Sequence, residues 1–317
     1  MVIDCHVHVS ACTPGHGSLS PAMRKGVTFR FMRWKFGLPD YGPECERFIE
    51  ELLDRTIGLT EQLDAAVVLA FDAVYDRDGR FDDARTHFHV RNDYVAEVCG
   101  RHPHLLFGAS IHPYRADAVA ELERCIGKGA VLLKWLPVVQ DFDMADPRCL
   151  PVYEALAHHR LPLLCHTGGE SALPNLNKRV ADPALLLTAL QAGVTVIAAH
   201  CGTRAGVFDA DYLPTFVKMC HEHERFYGDT AALNLPTRSY AFDTILKDEV
   251  VRAKLIHGSD WPIISLPTWK IGWIKAMRLL LAEGNWLQRD VEAKQALGLG
   301  DDYLGRGATL LRLPRGA

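Results

Sequence analysis

Eight short apolar runs, most of them followed by a stretch with helical spacing, constrain this chain more than any other feature of its 317 residues. The first is 1–10, and the others are 64–71, 104–111, 129–135, 161–166, 194–200, 225–230 and 254–260. From the third onward they recur every 25 to 33 residues, and the gaps 116–126, 150–159, 184–192, 213–223 and 240–252 repeat their apolar positions with helical period. Near-continuous apolar strands alternating with helices predict a parallel sheet covered by helices, most simply a (β/α)8 TIM barrel. An open doubly wound sheet is the competing architecture, but it would want a glycine-rich phosphate turn after the first strand, and none is present.

Two segments exceed what a barrel needs. Residues 9–43 are too long for one connecting loop and predict an insertion over the barrel mouth, followed by a first barrel helix over 44–61. Between Val9 and Pro39 there is no acidic residue, whereas Arg24, Lys25, Arg30, Arg33 and Lys35 interleave with Phe29, Phe31, Trp34 and Phe36. That pattern suits a cationic, aromatic lid over an anionic substrate, with Arg30 and Arg33 as its contacts. It equally suits an amphipathic segment packed on the barrel, or a homodimer contact. The second segment, 268–317, predicts helices over 271–283, 289–297 and 302–311 and shows no chemistry. No linker divides the chain, so 1–317 reads as one domain.

Composition narrows the partners. A formal charge of −4 and a pI near 6.4 leave no basic footprint for nucleic acid. No apolar run approaches the roughly 20 residues of a membrane span, so no membrane partner and a cytoplasmic address are expected. The nine cysteines form no Cys-x-x-Cys pair and sit mostly in apolar segments, as reduced core thiols do.

The ends of the strands carry the chemistry. In such a barrel the C-terminal ends of the strands converge on one face. Here the apolar runs end in His6 and His8, Lys134, His166, His200 and Asp260. On a strand, alternation points His6 and His8 to one side, where two neutral imidazoles can share a metal ion. A lone histidine at a strand end is usually structural, but four histidines and an aspartate in register are hard to explain that way. His112, Trp135, Arg204 and Trp261 follow strand ends and are candidates to line the pocket. Asp229 could orient a ligand histidine, and Glu170 reads as a solvated loop acid, with a salt bridge to the lid or substrate as the alternative.

With these residues in view, the chain resembles the amidohydrolase superfamily, in its amidohydrolase-related branch, which includes aminocarboxymuconate-semialdehyde decarboxylase and various lactonases. The resemblance rests on Asp4-Cys-His6-Val-His8, Lys134-Trp-Leu-Pro137, Cys165-His166-Thr-Gly-Gly-Glu170, Ala199-His200-Cys-Gly202 and His257-Gly-Ser-Asp260-Trp-Pro262. It implies a divalent metal, usually zinc, held by His6, His8, His166 and Asp260. His200 would bind a second metal or touch the reacting water and substrate. A two-metal site would use a carboxylated Lys134 as a bridge; one metal per chain is the expectation here, with Lys134 contacting substrate.

Zinc with an open position acidifies bound water, and Asp260 could take that water's proton and return it to the leaving group. His200 could polarise the carbonyl or steady the oxyanion. The expected reaction is hydrolysis of an amide or lactone of a small, anionic substrate. Nonoxidative decarboxylation of a small carboxylic acid is the alternative.

Overall fold

A computed structural model describes residues 1–282 and 284–313. Eight parallel strands form the barrel: β1 (Ile3–His8), β3 (Ala65–Leu69), β5 (Leu105–Ala109), β6 (Leu132–Trp135), β7 (Leu163–His166), β8 (Val196–Ala199), β9 (Phe226–Asp229) and β10 (Leu255–Ile256), hydrogen-bonded in that order. They fall within the eight apolar runs. Closure between the last strand and the first is made by single backbone hydrogen bonds: Cys5 N to His257 O (3.0 Å), Asp260 N to His6 O (2.9 Å) and His8 N to Trp261 O (2.7 Å).

Period-two alternation sorts the strand side chains into two layers. Val67, Leu69, Leu132, Leu164 and Ile197 belong to one buried cluster, whereas Val68, Leu133, Leu163, Cys165 and Ala198 join the cluster shared with the helices. On that parity Lys134 and His166 face the barrel interior. Trp135 faces the helix layer, where its ring meets Tyr153 at 5.4 Å and its Nε1 donates to Ile111 O at 2.7 Å. The register of β1 against β3 shifts between Asp4 and Val7, so simple alternation does not hold through the strand that carries the first two histidines.

The connecting helices include Ala118–Gly127, Leu150–His159 and Leu213–Glu222. The helix expected over 240–252 is broken into Ser239–Ala241, Phe242–Ile245 and Glu249–Arg252, with Asp248 capping the last piece through Val251 N. The insertion after β1 holds the short strand β2 (Gly17–Leu19) and the helices Pro21–Lys25 and Val27–Phe36. β2 pairs with β4 (Phe88–Val90), part of a second long excursion that follows β3 and that the strand spacing did not reveal. Buried Glu46, on the helix Pro43–Gly58, anchors the insertion by accepting from Cys12 N, Thr13 N and His16 Nδ1. The C-terminal helices are Trp273–Ala282, Trp286–Ala296 and Asp301–Leu310; residue 283 of the expected 271–283 helix, and 314–317, lie outside the described residues. Among the described residues, no helix is long and apolar enough to cross a membrane.

Candidate metal centre and pocket

His6 is the most constrained side chain of the barrel floor. Its Nδ1 lies 2.7 Å from Asp229 Oδ2, so the ring proton resides there and Nε2 presents a bare lone pair. Facing that lone pair are His8 Nε2 at 3.1 Å and Asp260 Oδ1 at 3.4 Å, with His8 Nε2 3.3 Å from the same carboxylate oxygen. Burial, reinforced by the nearby Lys134 ammonium, holds the His6 pKa well below the ordinary histidine value. For Asp260, burial opposes the charge, but His6 and His8 outweigh it and the carboxyl titrates below its usual range. Two imidazoles and an ionised carboxylate converging on one point are the donor set of a divalent ion. The residues therefore fit a metal.

Asp229 does two jobs. While Oδ2 orients His6, Oδ1 accepts from His200 N (2.8 Å) and Ala231 N (3.1 Å). His200 has φ +60° and Asp260 φ +67°, left-handed conformations that cost a branched backbone on the order of 1–3 kcal/mol each. The Asp229 hydrogen bond to His200 N and the Asp260 N to His6 O bond hold both in place. Asp4 ties the two strand ends from below, its Oδ1 accepting from His6 N (3.1 Å) and Ser259 N (2.9 Å), and burial pushes its pKa up to about 7.

His200 Nδ1 pairs with Ala231 O at 2.9 Å, which places its proton on that nitrogen and leaves Nε2 as an acceptor facing the pocket. Burial and Arg238 hold its pKa well below normal, and with Nδ1 bonded to Ala231 O it turns Nε2 toward the pocket as an acceptor able to hold a cation, not as the donor that steadying an oxyanion requires. His166 stands outside the tight His6, His8 and Asp260 group, its ring 4.8 Å from that of His200. Fully buried, it has no hydrogen-bond partner on either ring nitrogen among the described residues, and the Glu170 carboxylate is 3.8 Å away. A buried imidazole with two unsatisfied nitrogens is costly unless something binds there.

Lys134 is buried with Nζ 3.1 Å from His6 Nε2, and it does not line the pocket. Lys134 thus contacts a candidate metal ligand rather than the pocket surface. Burial lowers its pKa, against the pull of Asp229 and Asp260.

Over this floor opens a pocket walled by Phe29, Met32, Phe36, Phe71, Leu173 and Trp261, with Arg33, Glu170 and Arg238 among its polar residues. Trp261 and Arg33 thus line the pocket. Arg30, Arg204, His112 and Trp135 do not. Arg30 is exposed on the outer face of its helix; Arg204 lies over the Tyr240 ring at 4.8 Å; His112 is buried, bonded through Nε2 to Gln140 O and through Nδ1 to Tyr114 N. Trp135 is excluded by the strand parity described above. Glu170 is no solvated loop acid: its Oε1 accepts from Leu173 N at 3.0 Å and burial raises its pKa. Arg238, which no sequence signal marked, is buried with Nη1 on Thr203 O and Nη2 on Gly169 O.

The family model for amidohydrolase matches residues 3–298, and the chain belongs to that family. No curated protein sequence matches it. Among solved structures, an uncharacterised TIM-barrel protein from Bordetella bronchiseptica is similar at a TM-score of 0.59 and 17% identity, over 94% of this chain and 99% of that one. A probable 2-pyrone-4,6-dicarboxylic acid hydrolase from Acinetobacter baumannii, with citric acid bound, gives 0.53 and 15%, over 94% and 99%. A 5-carboxyvanillate decarboxylase from Sphingomonas paucimobilis gives 0.53 and 13%, over 99% of each chain. The barrel is thus shared by proteins named for hydrolysis and for decarboxylation. The family is metal-dependent, and this chain carries a His-His-Asp group able to hold an ion.

Proposed function

We propose that this protein is a metal-dependent hydrolase that opens an amide or lactone bond in a small substrate, with one zinc ion per chain. The observation that carries the reading is the convergence of His6 Nε2, His8 Nε2 and Asp260 Oδ1 within 3.4 Å of one another. His6, His8 and Asp260 would hold the ion, with His166 as a further donor. When bound, a divalent ion supplies Lewis-acid polarisation of a carbonyl and makes water acidic enough to ionise near neutral pH.

The chain's own groups account for proton handling and selection. Asp260, ionised and facing the pocket, accepts the proton of the attacking water and delivers it to the departing nitrogen or oxygen. His200 Nε2 is a second acceptor on the same floor. The aromatic walls exclude water and favour a ring or chain of low polarity, while Arg33, at the lid, pairs with an anionic group on the substrate.

The same apolar walls support a second reading, decarboxylation of an aromatic or enolic acid, because a poorly solvated carboxylate is destabilised relative to neutral carbon dioxide. Turnover of lactones, N-acyl compounds and hydroxybenzoates in ¹⁸O-labelled water separates the two. Hydrolysis places label in the product acid; carbon dioxide release with unlabelled organic product would replace the proposal with the lyase.

A further inference from the structure

The helix Val27–Phe36 has two occupied faces. Phe29, Met32 and Phe36 turn inward and line the pocket, whereas Val27, Phe31 and Trp34, spaced as i, i+4 and i+7, are exposed, Trp34 by 76%. A second helix repeats the pattern. On Trp273–Ala282, Trp273 (65%), Ile274 (77%) and Leu281 (80%) form an exposed stripe, extended by Trp269, whose ring stacks on Trp273 at 4.3 Å. The two helices are neighbours through Trp286: Phe36 meets its ring at 4.9 Å, Lys35 Nζ lies 5.7 Å over it, and Trp286 opens the helix that packs against Trp273–Ala282.

Charge distinguishes what can cover such a surface. The chain as a whole is at −4, yet neither 9–39 nor 269–282 contains an acid. Arg33 and Lys270 pair with Asp40 and Asp243, but exposed Lys25, Arg30, Lys35, Lys275 and Arg278 have no acidic partner among the described residues. A two-fold dimer through this face would bring the five unpaired cations of each copy together, against acids, Asp40 and Asp243, that are already paired within each copy. Basic helices whose other face is Trp, Phe, Ile and Leu are instead suited to lie in the plane of an anionic bilayer, aromatics at headgroup depth and cations on the phosphates.

We propose that the outer faces of Val27–Phe36 and Trp273–Ala282 form a peripheral docking surface for anionic lipid, placing the pocket mouth against the membrane. The test is co-sedimentation of the purified full chain with phosphatidylglycerol/phosphatidylcholine vesicles and with pure phosphatidylcholine vesicles. At low salt the anionic vesicles should bind at least about ten-fold more protein, and about 0.5 M salt should abolish most of the difference. Lys275→Glu with Arg278→Glu should cut binding about ten-fold, as should Trp273→Ser with Ile274→Ser; Lys35→Glu serves as an independent third site if either pair misfolds by circular dichroism. Equal partition to both vesicle types, no partition at low salt, or wild-type binding by folded charge-reversed variants would overturn the proposal. So would light scattering that finds a dimer which Trp273→Ser converts to monomer, since a second copy would then cover the face, or binding to polyglutamate without binding to vesicles, which would assign it to an acidic protein.

Discussion

The floor of the pocket and its lid are built on opposite plans. The anchoring groups of the floor reach across to other strands: Asp229 on β9 holds His6 on β1 and the backbone of His200 after β8, and Asp4 on β1 holds Ser259 after β10. The lid helix Val27–Phe36 has no buried residue, and its insertion is tied down ahead of that helix, through Glu46 and through the pairing of β2 with β4. A floor crosslinked between distant strands fixes donor atoms to within a few tenths of an ångström, as metal binding and proton transfer demand. A lid that touches through apolar surface can move over a substrate without breaking that geometry. Chemistry should therefore fail when the floor is altered, and affinity when the lid is.

The largest effect is expected at Asp260. Asp260→Asn keeps the shape but removes the proton acceptor and the charge, and kcat should fall about 10³-fold or more with little change in thermal stability. Retention of more than a tenth of the activity would move the base elsewhere, to His200 first.

Next in size is Asp229→Ala, which touches no substrate. Losing the partner of His6 Nδ1 and of His200 N should weaken metal binding about 10- to 100-fold, measured by competition with a chelator. Unchanged metal affinity would break the claim that the floor works as a crosslinked unit. His166→Ala sharpens the same point: a large loss of bound metal would make it a ligand despite its distance from the His6, His8 and Asp260 group.

Smaller effects belong to the lid. Arg33→Glu should raise KM for an anionic substrate by about ten-fold and leave kcat within a factor of two or three, whereas Arg30→Glu, on the outer face, should change neither. Equal effects of the two would mean that charge at the lid acts at long range and not by contact.

The smallest effect concerns the lid's root helix, Pro43–Gly58. Burial alone would raise the Glu50 pKa, but hydrogen bonds from Arg101 (2.7 Å) and His102 (2.9 Å) hold it below the usual 4.5. A carboxyl depressed in the folded state contributes stability that is complete above its unfolded pKa and is lost as pH falls through the folded one. Between pH 6 and pH 3 the wild-type Tm should therefore drop by more than that of Glu50→Gln, while the two proteins' metal content at pH 7 stays equal.

The same contrast explains what could be read from the chain. A barrel floor is built from the last residue of each apolar run, so His6, His8, Lys134, His166, His200 and Asp260 announce themselves by polarity at the end of a strand. The parity of a strand also follows from sequence once its inward residue is known, and applying it to Lys134 would have sent Trp135 outward from the start. Arg238 sits in a loop after β9 with no periodic neighbour, and Glu170 takes its burial from a turn whose shape depends on remote segments. The direction of the His200 ring proton depends on Ala231 O, a contact made by a loop from another strand. On the lid, the aromatic and basic spacing was legible, but which face met the barrel was not, and Arg30 and Arg33 part company for that reason.

The seam that closes the barrel also sets when the metal centre can come into being. Because Cys5, His6 and His8 bond to His257, Asp260 and Trp261, the first strand of the barrel has its final partner only after residues 257–261 have been made. Until then the nascent protein carries His6 and His8 on an open edge, and the donor set is completed in the last act of folding. Metal capture is thereby coupled to completion of the barrel: a chain ending before Leu255 contains the residues of seven of the eight barrel strands yet lacks the aspartate that the two histidines need.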